Sequence, residues 1–495
     1  MKKALVIGGV IAVAAVAVWS ALWFAGRGQI EDRLELETAR AEARGMTITW
    51  GARTIGGFPF GYDIDATEVA LIHRESGVLV RIPRLSSRLD ASAVQEVETH
   101  LIGEITVNLP ISERNREADP RLPPVVKLML DGDALRLVAR GVTGTERSLV
   151  LLSDEFRMKV EQDDIPNRLS AVISALNATY SDTGGKRVSA VQASSVDFRA
   201  DGTDAGGQEA EVTVNIAALN LTGTADLPET ANLNEVIFGG KPGSVELVYT
   251  TGRLDSSATA VDATGEGGGS FTYSGASTTG IVGMGSGRVE FQGESRENRW
   301  TVEPRQPTSP VRGTMTAEAV QTRYSMPTGV SETPQPGSLR LAMIRLDGDD
   351  SFWNNLDPKA VLDRSPAELL LDVEATAKLT GRIDRLGPTE PFPVQLANVS
   401  VNGFDVRALG GEMSATGDVE VLQPINLPLG ALDIRINKGN AVLSALTQAG
   451  LIDETTRSMA AAMLQVYARP IDEDTHETDL TFGNEGITMN GLRIQ

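Results

Sequence analysis

From Met46 onward, apolar residues recur at every second position, and this period most constrains the fold. Ile48, Trp50 and Ala52 alternate with Thr47, Thr49 and Gly51. The pattern returns at Tyr62/Ile64/Ala66, Ile105/Val107/Leu109, Leu135/Leu137/Ala139 and Val212/Val214/Ile216. It continues through Val245/Leu247/Tyr249, Val289/Phe291, Leu369/Leu371/Val373/Ala375 and Leu432/Ile434/Ile436. The intervening positions are mostly Asp, Glu, Arg, Thr or Asn. A period of two with one wet face implies antiparallel strands. Parallel α/β folds would need continuous apolar runs separated by long helices, and neither dominates here, so Rossmann and TIM-barrel architectures are not expected. The expected fold is mainly β: an N-terminal transmembrane helix and stalk, then extended, curved antiparallel sheets with a few covering helices. Because helices are scarce, the apolar face must meet another sheet, curl on itself or meet lipid.

Three helices are expected in the body. Ile165–Tyr180 carries Pro166 near its start and Leu169, Val172, Ile173 and Leu176 on one side. Asn440 is placed to cap a second helix through Ala449, with Gly450 as its stop. Asp453 is placed to cap a third, with Met459, Met463, Val466 and Tyr467 on one side and Pro470 beyond its end. A β-hairpin over Thr478–Phe482 and Ile487–Ile494 follows this pair. Gly-, Pro- and polar-rich stretches suggest a boundary near residue 240, giving β-rich regions 46–240 and 241–495.

The N-terminal residues set the expected location. Ala4–Ala25 is 22 residues long, with Ser20 its one hydroxyl and no charge. A helix of that length spans a hydrocarbon core of about 30 Å. Lys2 and Lys3 precede it, which predicts a cytoplasmic tip (1–3), an inner-membrane anchor (4–25) and a periplasmic body. Trp19, Trp23 and Phe24 fall where an interfacial aromatic belt belongs. The alternative is a cleaved signal peptide, which wants a shorter apolar core and a small-residue site. Residues 26–45 read as a helical stalk stopped by Gly45.

The polar residues offer little chemistry. There are no cysteines, and 45 Lys+Arg stand against 66 Asp+Glu for a net charge of −21, a poor match for nucleic acid. The acidic clusters Asp131–Asp133, Asp201–Asp204, Asp347–Asp350 and Asp472–Asp474 lack calcium-loop spacing and read as turns. Gly267–Gly269 and Gly283–Gly287 lack the Lys-Ser/Thr of a phosphate loop. His73, His100 and His476 are far apart in sequence, and His476, in an acidic stretch, reads as solvated. No catalytic residue, metal ligand or cofactor is expected, and the chain is not read as an enzyme. The one pointed motif is Gly56-Gly57-Phe58-Pro59-Phe60: free φ at two glycines, a fixed φ at proline, and two rings expected to be buried at a structural corner.

The motif carries a resemblance. A single N-terminal span, a short helix and then Trp50-Gly51 leading to Gly56-Gly57-Phe58-Pro59-Phe60 resembles a family of uncharacterised bacterial envelope proteins, a domain of unknown function. The likeness returns at Phe352–Pro358, at Arg364–Asp372 and from Leu409 through Leu451. Gly61 stands where the family pattern has a basic residue. The architecture is more distantly similar to AsmA/TamB-type envelope proteins, which implies an inner-membrane anchor and a curled sheet that shields lipid tails. The leading expectation is therefore an anchored envelope protein binding or shuttling lipid along a curved apolar sheet. The alternatives are an envelope scaffold with self-packed sandwiches and, more remotely, a hydrolase of envelope polymer. The inner membrane and lipid are the expected partners; no protein partner is legible.

Overall fold

The computed structural model describes Ser20 and residues 25–494, apart from 44, 59–60, 91–95, 112, 114–115, 117–122, 142–145, 162–167, 184–185, 204–206, 229–232, 266, 307–311, 387–389 and 485. The chain is mainly β, and its strands pair antiparallel with strands close to them in sequence. It divides into two compact units: residues 1–184 with 188–202, and 185–187 with 203–495.

The first unit is a meander. Met46–Thr49 and Ala52–Gly56 both pair with Gly61–His73, which pairs with Leu79–Asp90. That strand pairs with Glu96–Ile102 and Ile105–Pro110, two halves of one line. The next line, Val125–Asp133 and Arg136–Arg140, leads to Glu146–Glu161 and then Arg168–Thr183.

The second unit repeats the scheme. Glu209–Asp226 pairs with Ser244–Thr251 and Leu254–Val261, and these pair with Ser277–Gly285 and Gly268–Gly275. Arg288–Pro304, Gly313–Pro327, Gln335–Gly348 and Ala367–Leu379 follow in order. Val394–Ala408, Gly411–Leu422, Leu427–Asn437 and Thr475–Gly483 continue it, and Gly486–Met489 and Leu492–Arg493 close it as two short strands.

Several of the long strands, and the line formed by Val125–Asp133 and Arg136–Arg140, are interrupted once by a non-glycine residue with positive φ. These are Glu68 (51°), Ala134 (52°) and Ala175 (50°) in the first unit, and Ala218 (51°), Glu297 (52°) and Arg345 (53°) in the second. Each such residue costs about 1–2 kcal/mol of backbone strain. It also shifts the alternation by one position, so apolar spacing runs two, two, three, two. Ala66 is followed by Val69, Ile173 by Leu176, Ile216 by Leu219 and Met343 by Leu346. Buried polar side chains satisfy the carbonyls beside these breaks. Ser153 Oγ donates to Asp133 O at 3.0 Å, and Asn298 Nδ2 donates to Ser295 O at 3.0 Å while its Oδ1 accepts from Tyr273 Oη at 2.8 Å.

This phase shift explains one correction. Ile165–Tyr180, expected as a helix, is strand Arg168–Thr183 over its described part. Leu169, Ala171 and Ile173 face one way, and beyond Ala175 so do Leu176 and Ala178. The three-residue step imitates a helical repeat when Leu169, Val172, Ile173 and Leu176 are read alone.

We number the helices α1 (residues 25–43), α2 (Leu233–Ile237), α3 (Asp350–Leu356), α4 (Gly439–Ala449) and α5 (Glu454–Tyr467). The stalk helix α1 docks on the first unit: Ile30 and Leu34 pack on buried Ile55, Ile64 and Leu89. One turn earlier Gly26 abuts Tyr62, whose hydroxyl would lie 2.1 Å from an added Cβ. Gly45 follows the helix at φ 81°. A second cluster buries Ala66, Val69, Ile82, Ile105 and Leu135, covered by Trp50, Leu130, Leu151 and Phe156. No helix of the described residues is long and apolar enough to cross a membrane. The segment 4–25 lies outside them except for Ser20 and Ala25.

Candidate functional site

The second unit carries an apolar row that its registers define. Leu247, Val282, Phe291, Tyr324 and Leu339 stand directly opposite one another in successive strands. Val373, Val401, Gly417, Leu432 and Leu480 continue the row. Directly opposed residues project from the same side, so this is one continuous face. None of the ten is buried, and Leu339 is 42% exposed. Phe291 and Tyr324 stack at 5.5 Å between centroids.

At the C-terminal end, α4 and α5 cover this face. α4 begins after Lys438, whose φ is 57°, rather than after Asn440 as expected. Two glycines bring the helix close to the sheet. A Cβ on Gly439 would lie 2.8 Å from Ile436 Cγ2, and one on Gly411 would lie 2.6 Å from Val442 Cγ2. Gly450 (φ 87°) ends α4, and Asp453 caps α5 by accepting from Thr456 N at 2.6 Å. That backbone hydrogen bond leads those holding the Asp453 carboxyl below the usual carboxylate range. The far end of α5 is tied to the sheet where Tyr467 O accepts from Thr478 Oγ1 (2.9 Å) and Asn490 Nδ2 (2.6 Å).

Between helices and sheet lies a cavity of 550 Å³. Val406, Met413, Ile434 and Ile436 form its floor, and Val442, Leu443, Ala460, Leu464 and Tyr467 its roof. The volume is within the range of about 300–1,000 Å³ usual for small-ligand sites. Met463 lines the cavity and is also 51% exposed, and with Met459 (61%) and Val466 (58%) it forms an outward apolar stripe on α5. The arrangement offers shape and apolar surface but no acid–base pair on its walls.

The residues singled out by sequence fall elsewhere. Gly57 turns the corner at φ 94°, where an added Cβ would meet Asp63 N at 2.8 Å and Gly61 O at 2.9 Å. Gly56 has open space around it. The expected burial of Phe58 is corrected: it is 48% exposed, because the turn carries its ring away from the Ile55–Ile64–Leu89 cluster. Pro59, Phe60, Trp19, Trp23 and Phe24 lie outside the described residues.

The acidic clusters serve as turns and ion-pair partners: Asp131 and Asp133 each lie 3.6 Å from Arg157, and Asp472 accepts from Asp474 N and Thr475 N. Among the described residues no group of three His, Asp or Glu is placed to hold a metal. Gly268–Gly275 and Ser277–Gly285 are strands, with Ser286-Gly287 as a turn. His73 Nδ1 contacts Ser76 Oγ at 2.9 Å, and His100 Nε2 lies 3.4 Å from Glu98. His476, read as solvated, is 9% exposed, because Thr475–Gly483 is an inner strand of the helix-covered face.

The Phe352–Pro358 stretch, one of those that carry the resemblance, forms a packed node. Asp349 caps α3, Trp353 is buried, and fully buried Asp357 accepts from Leu362 N at 2.8 Å. Arg364 donates to Asp357 O at 3.1 Å and lies over the Trp353 ring at 5.7 Å.

Fold and site together define a mainly β meander protein with an open apolar face and a helix-lidded apolar cavity. A family model described as an uncharacterised protein conserved in bacteria (DUF2125) matches residues 23–272 and 245–494, and the chain belongs to that family. No curated protein and no solved structure matches it.

Proposed function

We propose that this is a membrane-anchored envelope protein that binds lipid acyl chains in the cavity under α4 and α5 and along the apolar row leading to it. The row carries the reading: ten opposed positions, none buried, running to a lidded apolar cavity. Soluble monomers rarely leave contiguous apolar surface of more than a few hundred Å² unless something binds there. The uncharged segment 4–25 behind Lys2 and Lys3 supports anchoring, with the body in the periplasm. Likeness to AsmA/TamB-type proteins supports the same reading at the level of architecture.

Native mass spectrometry of the full chain, purified in mild detergent and followed by organic extraction, tests it. Lipid adducts that diminish in Ile434→Asp support binding. A protein without adducts returns the scaffold reading, and adducts insensitive to substitutions lining the cavity move the binding site onto the open row. Protease accessibility in spheroplasts tests location: a body protected there but cut after lysis contradicts the periplasmic assignment.

A further inference from the structure

The wall of the cavity under α4 and α5 carries few polar side chains. They are Glu412, Asn437, Tyr467 and Thr478, and no Lys, Arg or His stands among the lining residues. Thr478 is buried, and its hydroxyl donates to Tyr467 O at 2.9 Å. With that proton engaged, Thr478 Oγ1 has lone pairs left and can only accept. The Glu412 side chain is 55% exposed, so it sets a carboxylate at the rim of the cavity.

The cations beside the cavity already face carboxylates. Arg407, between the lining residues Val406 and Ala408, lies 3.1 Å from Glu368 and 3.4 Å from Glu412, so two carboxylates share one guanidinium. Arg469, next to the lining residue Ala468, lies 3.3 Å from Glu477. Lys438, between Asn437 and Gly439, acts on Asp363, whose carboxyl is held below its usual range mainly by hydrogen bonds from Ser365 and in smaller part by that lysine's charge. An anionic head group arriving here would meet a carboxylate, lone pairs and apolar wall, with no cation on the wall to receive it. A head group without charge has far less hydration to lose at the same place. Resting on the lipid reading above, we propose that the cavity selects lipids whose head group is uncharged, with Glu412 turning anions away at the rim.

Native mass spectrometry of the full chain in mild detergent, with equimolar hexadecanol, hexadecyl phosphate and hexadecyltrimethylammonium, tests this. The three share a chain and differ at the head. The wild-type protein should carry the alcohol over the phosphate by about fivefold or more, and should not favour the cation over the alcohol. Glu412→Lys should bring the alcohol-to-phosphate ratio down toward one, and Glu412→Gln, which removes the charge and keeps the shape, should lower it part of the way. A wild-type protein indifferent to the head group, or one that favours either ion, overturns the assignment, as does a folded Glu412→Lys with the wild-type ratio. If Glu412→Lys does not fold, Glu412→Gln decides: a lowered ratio supports the assignment, and an unchanged one counts against it. Absence of every adduct from wild type removes the lipid reading itself, whereas adducts blind to the head group remove only the selection at the rim.

Discussion

Ile434 and Arg435 are sequence neighbours on opposite sides of one strand: Ile434 lines the cavity floor, and Arg435 faces out, 3.6 Å from Glu477 across the ladder. The two positions separate the apolar face from the wet one. Ile434→Asp places a carboxylate among Met413, Leu464 and Tyr467 and should cost about 2–4 kcal/mol. Arg435→Asp loses an exposed ion pair and opposes Glu477 with a like charge, a change of about 1 kcal/mol or less. Urea denaturation of both variants checks the contrast, and equal costs would mean the cavity side is as wet as the other.

The corner before Gly61–His73 makes a second contrast. Its structural content sits in Gly57, whose positive φ and close approach to Asp63 N and Gly61 O leave no room for a side chain. Gly57→Ala should destabilise by about 2–4 kcal/mol. Phe58→Ala, at a half-exposed position, should stay within about 1 kcal/mol. Thermal melts of the two variants decide whether glycine or ring matters.

Much of the fold was legible because alternation reports a half-buried strand directly. The C-terminal helices were legible too, since Asp453 and Gly450 are strong local signals and both act as caps. What misled was the strand break. Ala175, Glu297 and Arg345 adopt a left-handed conformation without being glycine, so no residue type flags them. Only the three-residue step from Ile173 to Leu176, or from Met343 to Leu346, betrays the break, and at Ala175 that step passes for a helix. The cavity was half legible: Ile434, Met463 and Tyr467 stood out as apolar. Their convergence depends on Gly439 and Gly411 letting α4 approach the sheet, and His476 is buried by a register that the local acidic sequence does not reveal.

Asp349 gives an acid signature. Burial opposes its ionisation, but Ser351 Oγ, Phe352 N and Thr314 N outweigh this and pull its carboxyl down to about 2. A folded pKa below the unfolded value of 3.8 contributes stability above about pH 4 that is lost as pH falls toward 2. After screening by solvent, the contribution at neutral pH is about 1 kcal/mol. Asp349→Asn should melt lower than wild type at pH 6, with the gap narrowing as pH falls from 4 to 2. A gap constant across that window would mean that the carboxylate form is not what holds the cap.

The cavity itself can be separated from an ordinary packing void. Ala460 lines it from α5, facing the floor formed by Met413 and Ile436. A phenylalanine there adds a ring into open apolar space, without a new polar group and on a helix that tolerates the residue. In a closely packed core such a change costs about 1–3 kcal/mol through strain. In a cavity of 550 Å³ the ring has room, so Ala460→Phe should melt at or above the wild-type temperature. If the space serves to hold an acyl chain, the same variant should lose its lipid adducts in native mass spectrometry while remaining folded. A variant that melts several degrees lower would show that the helices collapse onto the sheet in solution and leave no cavity. One that melts normally and still carries lipid would move the binding site out from under α4 and α5 onto the open row between Leu247 and Val373.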